Sequence, residues 1–509
     1  MTSRAPIGLL AGSLALAAVL SAGCENYPFL ENGGRSTGKG ADAVAGDTIQ
    51  STGGFSEVLI QGRTFIDGSS AATTTYGVGD LTRTPVGIDF NRDGKIDPVA
   101  GYGPANLGGV VQILLSKGAP GSVDFSYLSL DGNGRWTRLS DVAAGDMDGD
   151  GAPDIIAAAS DGVIYLHNPG AGNETTLRDW GAVDPDAEFL AGSTAILTND
   201  EIEAILSDVL PAGTNLDDYD VSVEQGYTRV IIADMDGDGA NDVVASRRLK
   251  INLEPKDNAN VPPLAVIAGE LQIFKNPAVG ATDGTGYQLI TVGRHERYIE
   301  LDRQGASSVM AYDMDRDGDL DIVSAARDDV NAQLAWFENP GRVEFSATDQ
   351  WTQWRVGSLR DIAGFDIADF TGDGRADVIA TGAAQQQMVL FEQPAEGPRR
   401  EYDWDSSVIV TFESFQPLDV RALDIDSDGA LEAVVGGTLG AIRYFEPGAD
   451  PRKAWTGAKV IDLAPGDVGT LGFGDLDADG DLDLVVVVND TATEAENADR
   501  IVWIRNDMR

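Results

Sequence analysis

This chain is nearly without cysteine and histidine, and it is short of basic charge. Its 509 residues include one cysteine, Cys24, and two histidines, His167 and His295. A single cysteine allows no intramolecular disulfide, and so few His and Cys ligands nearly exclude a zinc site of that type. Neither histidine stands beside a Ser or Cys in a nucleophile motif, so a hydrolytic triad has no support. Lys and Arg number 36 against 82 Asp and Glu, for a formal charge of −46. A charge of that sign and size repels a phosphate backbone and excludes non-specific nucleic-acid binding. Long apolar runs are also scarce. The run from Ile7 to Leu20 follows Arg4 and leads into Ser21-Ala22-Gly23-Cys24. It is too short to span a bilayer as a mature helix and reads as a signal peptide over residues 1–23.

What the chain has in abundance is acid in a repeated pattern. Seven times a loop of the form Asp-x-[Asp/Asn/Thr]-x-Asp-Gly-x-x-[Asp/Glu] precedes a small-apolar run. Positions 1, 3, 5 and 9 are Asp89, Asn91, Asp93 and Asp97 in the first loop, and Asp146, Asp148, Asp150 and Asp154 in the second. They are Asp234, Asp236, Asp238 and Asp242 in the third, and Asp313, Asp315, Asp317 and Asp321 in the fourth. The fifth has Asp369, Thr371, Asp373 and Asp377, and the sixth Asp424, Asp426, Asp428 and Glu432. The seventh has Asp475, Asp477, Asp479 and Asp483. Carboxylates at positions 1, 3 and 5 of a tight loop converge on one point, the carbonyl of position 7 joins them, and position 9 closes the shell. Hard oxygen ligands without nitrogen or sulfur suit Ca²⁺, up to seven ions in all. Gly at position 6 is present in every copy and permits the sharp turn. Thr371 supplies a neutral ligand, so the fifth site should be the weakest.

An EF-hand is excluded, because its loop needs a bidentate Glu at position 12 and flanking helices. Position 12 here is Ala100, Ala157, Ala245, Ser324, Ala380, Val435 and Val486. The flanks are short and β-branched, as in Asp321-Ile-Val-Ser, and read as strands. A metal-free Asp-Gly hairpin turn is the alternative. It would leave several carboxylates repelling one another without compensation.

Loop starts are separated by 57, 88, 79, 56, 55 and 51 residues. A period near 50–60 with several short strands predicts an all-β, seven-bladed propeller of four-stranded antiparallel blades. In the fourth unit one strand enters the loop at Ser308 and a second leaves it at Asp321. A third ends in Trp336-Phe-Glu-Asn-Pro, and a fourth begins at Trp351. The third-strand tag recurs at Tyr165, Ile273, Leu390, Tyr444 and Trp503, its aromatics packing between blades and its Asn-Pro ending the strand. The seventh unit runs out after its third strand, and an orphan strand lies at 56–66. Pairing the two closes the ring and removes an exposed edge.

These loops and strands resemble the FG-GAP and VCBS repeat family, whose best-known fold is the seven-bladed propeller at the head of integrin α chains. The resemblance covers roughly residues 55–509. It implies Ca²⁺ between the first two strands of each blade, and it implies no single activity, since the family includes adhesins, lectin-like binders and a few enzymes. The N-terminus resembles a bacterial lipoprotein signal in which Cys24 is acylated, although Ser21 stands where Leu is commonest. Plain cleavage near Cys24 is the alternative. Residues 24–54, rich in Gly, Ser, Thr, Asp and Ala, form a flexible tether. Glu25 lacks the Asp that marks inner-membrane retention in enteric bacteria, which favours the outer membrane or cell surface.

Two insertions interrupt the repeat. Thr198-Asn-Asp-Glu201 is a capping box ahead of apolar residues at helical spacing, Ile202, Ile205, Leu206 and Val209, with Pro211 as the stop. If Asp179-Trp-Gly-Ala-Val is the outer strand of that blade, this helix lies opposite the acidic loops; if Asp218-Tyr-Asp-Val-Ser-Val is, it lies on their face. Residues 246–269 form a polar hairpin opposite the loops, and its Arg247, Arg248, Lys250 and Lys256 are a candidate anion site or a solvated loop. The two resemblances, with so few catalytic candidates, imply a membrane-anchored binding or adhesion module for glycan or protein ligands, with no catalytic residue assigned. The alternative is an enzyme acting on polysaccharide or sugar. A polar pore or cleft holding two carboxylates and an arginine would favour that alternative.

Overall fold

The computed structural model describes residues 55–61, 75–78, 88–102, 110–116, 125–131, 136, 139–170, 180, 188–207, 210, 213–256, 261–277, 280–295, 303–328, 332–342, 345, 351–395, 397, 403–463, 466–489 and 500–508. Residues 1–23, expected as a signal peptide, Cys24 and the expected tether over 24–54 lie outside them. No described helix is long and apolar enough to cross a membrane.

The protein is an all-β propeller of four-stranded antiparallel blades. Strand β1 (Phe55–Gln61) precedes a first sheet of β2 (Thr75–Val78), β3 (Val99–Tyr102), β4 (Val110–Ser116) and β5 (Phe125–Asp131). The second sheet is β6 (Leu139–Gly145), β7 (Asp154–Ala159) and β8 (Val163–Leu166). A helix, α1 (Asn199–Ser207), then leads to the third, of β9 (Tyr219–Ala233), β10 (Asp242–Pro255), β11 (Leu264–Lys275) and β12 (Gln288–Arg294). The fourth contains β13 (Arg303–Tyr312), β14 (Asp321–Asp328), β15 (Ala332–Glu338) and β16 (Thr352–Leu359). The fifth contains β17 (Ile362–Ala368), β18 (Asp377–Gly382), β19 (Gln387–Glu392) and β20 (Asp405–Thr411). The sixth has β21 (Pro417–Leu423), β22 (Glu432–Gly437), β23 (Ala441–Glu446) and β24 (Thr456–Asp462). The last is β25 (Asp467–Gly474), β26 (Asp483–Asn489) and β27 (Arg500–Asn506), joined by β1, which pairs antiparallel with β27 from Phe55 opposite Asn506.

Six of these sheets therefore have four strands among the described residues, and the second has three. Among the described residues its outer edge is met by an antiparallel bridge between Ile164 and Phe189. Each first strand lies beside the first strands of its neighbours, and β2 lies beside both β6 and β25.

The core sits between sheets, because alternate residues of a strand point to opposite faces. Trp336 packs with Phe365, Val378 and Phe391 of the fifth blade, while adjacent Phe337 packs with Leu271, Ile273 and Ile290 of the third. Buried clusters of this kind fill the spaces between successive sheets from the first to the last. The tag aromatics are thus packing residues, as their repeat implied.

The two insertions meet. Residues 188–190 pair with β8, and the chain then runs on the face opposite the acidic loops until β9 carries it back. Of the two stretches proposed as the outer strand, 219–223 instead opens β9, the first strand of the third blade, and 179–183 lies, apart from Trp180, outside the described residues. Thr198 N–H donates to Glu201 Oε2 at 2.7 Å and Glu201 N–H to Thr198 Oγ1 at 3.3 Å, the reciprocal cap expected of α1. Ile205 and Leu206 of α1 then pack against Leu249, Ile251, Leu253 and Val266 of the long β10–β11 hairpin. Together they make one projecting unit with its own small core.

Candidate metal centres

Each acidic loop is shaped by its own backbone before any ion is considered. In the fourth, Gly318 N–H donates to Asp313 Oδ2 (3.2 Å), Asp317 N–H to Asp315 Oδ1 (3.2 Å) and Asp319 N–H to Asp317 Oδ1 (2.9 Å). Position 6 is a left-handed glycine in every loop, with φ between 84° and 99°. Position 4 is left-handed as well, and there Arg92, Arg316, Ser427 and Ala478 replace the glycines of the second, third and fifth loops. The glycines Gly149, Gly237 and Gly372 were a legible sign of that second turn, which the loop pattern had passed over.

In five loops three carboxylates bring oxygens within 4.8 Å of one another. They are Asp146, Asp148 and Asp154; Asp234, Asp236 and Asp242; Asp313, Asp315 and Asp317; Asp424, Asp426 and Glu432; and Asp475, Asp477 and Asp483. The loops at Asp89 and Asp369, where Asn91 and Thr371 take the third position, are not among them. Buried Oδ1 atoms of Asp313, Asp424 and Asp477 have no hydrogen-bond partner. An all-oxygen donor set with unpartnered carboxylate oxygens fits a hard divalent cation.

Position 9 does more than close the shell. Asp321 Oδ2 accepts from Met314 N–H of its loop (3.0 Å), and Oδ1 from Asn339 N–H at the end of the third strand (2.7 Å). Asp97, Asp154, Asp242, Asp377 and Asp483 repeat both bonds, with Ser116, Asn168, Asn276, Gln393 and Asn506 as the second donors. Burial pushes Asp97, Asp154, Asp242 and Asp483 up to about 7 and Asp321 to about 8, opposed by these N–H bonds. Ionised, such groups call for nearby positive charge.

The asparagine of the tag, read as a strand terminator, is a latch between blades. Asn339 Nδ2 donates to Leu320 O beside its own loop and to Met235 O in the loop of the preceding blade, both at 2.9 Å. Asn168 reaches Phe90 O (3.1 Å), Asn276 reaches Met147 O (2.7 Å) and Asn506 reaches Ile425 O (2.7 Å) in the same way. Gln393 does so with its longer side chain to Met314 O (2.8 Å). The sixth blade has Pro447 at this point and offers neither amide nor N–H; its position 9 is the longer Glu432.

Near the ring centre, Asp141, Asp366 and Asp419 are buried on first strands. They accept Val230, Ala422 and Leu471 N–H from the next first strand at 3.1, 2.9 and 3.0 Å. Asp141 also pairs with Arg229 (3.3 Å) and Asp419 with Arg421 (3.7 Å). Carboxylates and arginines do meet there, but committed to backbone ties rather than as a facing pair. His295 is buried, and its Nε2 lies 2.9 Å from Ser324 Oγ. Ser324 Oγ also lies within hydrogen-bond distance of Ser308 O (2.9 Å), to which it can donate. His167 lies half-buried with Nε2 3.0 Å from Asp148 Oδ2.

The basic stretch of the hairpin does not form an open anion site. Arg247 is buried against Glu270 (3.4 Å), Lys250 pairs with Glu224 (3.7 Å) and Lys256 donates to Asp217 O (3.0 Å). Alternation along β10 sends neighbouring cations to different faces.

No curated protein sequence matches the chain significantly. Among solved structures it is similar to an Agrocybe aegerita lectin recognising non-reducing terminal N-acetylglucosamine, with 14% identity over 86% of this chain and 100% of that one, TM-score 0.41. Chaetomium thermophilum Sqt1 is 11% identical over 86% of this chain and 96% of that one, TM-score 0.41. A Bacillus licheniformis rhamnogalacturonan lyase is 14% identical over 89% and 75%, TM-score 0.36. None of these bears on a ligand. Residues 313–380, from the fourth acidic loop through the second strand of the fifth blade, match the FG-GAP-like repeat family.

Proposed function

We propose that this protein is a calcium-stabilised binding module, lipid-anchored through Cys24 to the bacterial cell envelope, that recognises a glycan or protein ligand outside the cytoplasm. The ring has seven blades, the three-stranded sheet being the second, and β1 closes it. What supports the count is the unbroken neighbourhood of first strands from β2 through β25 and back to β2, with β1 completing the last sheet. Calcium is supported by the five all-oxygen clusters and their unpartnered carboxylate oxygens. Ca²⁺ would supply positive charge to the unpartnered carboxylate oxygens of these clusters. The chain's own residues hold the loops in shape through the glycine turn, the position 9 carboxylate and the asparagine latch.

The observation that carries the binding reading is the projecting unit formed by α1 and the β10–β11 hairpin. It is the one place among the described residues where two insertions build a surface that the repeat does not need. Ile196, 76% exposed, stands just before α1, and Val221, 41% exposed, lies on β9 opposite Leu253 of the hairpin, while Leu249, Ile251, Leu253 and Val266 beneath are buried. Insertions are where a repeat scaffold carries its individual function, and these two exposed side chains are our candidates for its contact surface. The test is glycan-array and protein-ligand screening of the soluble chain with and without calcium, followed by Ile196→Asp with Val221→Asp. The double variant should keep its melting temperature and lose the ligand. A ligand held equally well by the double variant would move the binding surface elsewhere.

A further inference from the structure

One residue of the third-strand tag differs from blade to blade in the sign of its charge, and the structure puts it beside the acidic loop. It is His167 in the second blade, Lys275 in the third, Glu338, Glu392 and Glu446 in the fourth to sixth, and Arg505 in the seventh. Lys275 enters its loop. Its Nζ pairs directly with Asp236 Oδ2, lies 3.4 Å from Asp238 Oδ2, and sits 5.7 Å from the centre of the Phe345 ring of the next blade. Asp236 is buried and also belongs to the Asp234–Asp236–Asp242 cluster. In the fourth blade the same position is Glu338, which accepts a hydrogen bond from Trp354 Nε1 (2.5 Å) and adds negative charge beside the loop.

The geometry points to Lys275 as the resident cation of the third loop: its ammonium takes the place of a calcium ion, so the ring binds one ion fewer than its clusters of acidic ligands suggest. An ammonium offers a single compact charge and three donors, enough to neutralise the position 3 and position 5 carboxylates without dehydrating a divalent ion. The aromatic face of Phe345 adds a cation–π contact that a hydrated calcium would not make in the same way. The arginine of the seventh blade differs, because its guanidinium is drawn outward to Asp507 at 2.7 Å. The third loop thereby holds its shape when calcium is scarce. The loops of the fourth and sixth blades, with glutamate at the tag, do not.

This inference rests on the reading of the other loops as calcium sites. The test counts bound Ca²⁺ by native mass spectrometry on the full chain and on Lys275→Gln and Lys275→Glu, each first stripped with EGTA and then given calcium. Both variants should carry one more calcium than wild type. With EGTA present, Lys275→Gln should melt below wild type, and added calcium should reverse that order or abolish the difference. An unchanged count in both variants, with the other loops filled, would overturn the inference and leave the calcium reading standing. No calcium in any of the three proteins would overturn both. If Lys275→Gln does not fold, the count on Lys275→Glu decides, because glutamate at this position is already accommodated by three blades.

Discussion

Replacing Asn339 with alanine tests how the blades are held to one another. The side chain donates to Leu320 O and Met235 O at 2.9 Å each, and its Oδ1 accepts Gly341 N–H at 3.0 Å. Asn339 is buried, so its removal leaves two carbonyls facing a small void rather than solvent. Each stranded buried acceptor costs about 1–3 kcal/mol, so a loss of about 2–6 kcal/mol is expected for the two. Urea denaturation of wild type and Asn339→Ala in saturating calcium measures it. Asn339→Gln is the informative control. Gln393 makes the same reach to Met314 O at 2.8 Å in the next blade, so glutamine should recover part of the loss. A loss below about 1 kcal/mol, the net value of one ordinary hydrogen bond, would refute the latch as a structural tie. Equal losses for alanine and glutamine would show that shape, rather than the amide, matters at this position.

Calcium removal should lower the melting temperature sharply, since an ion at 100 times its dissociation constant contributes about 2.7 kcal/mol at each site; an unchanged thermal scan in EGTA would contradict calcium binding. Asp317→Ala should cost more calcium-dependent stability than Asp373→Ala, because Asp317 stands in a three-carboxylate cluster whereas Asp373 has Thr371 beside it and Arg375 already paired to it; calorimetric titration of both variants gives the order. Deleting residues 55–61 should expose the edge of β27 and cause association, seen by size-exclusion chromatography. Gly357→Ala would set a Cβ into Cε1 of Phe391 and should destabilise by about 1–3 kcal/mol of overpacking, read from the denaturation midpoint.

The acidic loop is legible in the sequence because its chemistry is local. Position 6 needs a left-handed backbone, positions 1, 3 and 5 need short oxygen-bearing side chains, and the following strand needs small β-branched residues; all of it lies within about a dozen residues. Its recurrence then points to blades, since one such unit cannot bury its own faces. The capping box of α1 is local in the same sense, and its hydrogen bonds formed as expected. What a residue does across a blade boundary is a different matter. Asn339 and Met235 are 104 residues apart, and the Asn-Pro pair already had a sufficient local explanation as a strand end. Lys275 sits in a tag whose other members are acidic or basic, and only the fold carries its ammonium to Asp236. The insertions show the same division. Their helix and hairpin could each be read from spacing, but the shared face depended on whether 218–223 opened the third blade or ended the second. Pairing between strands decided that, and a strand's own residues specify its two faces without naming its neighbour.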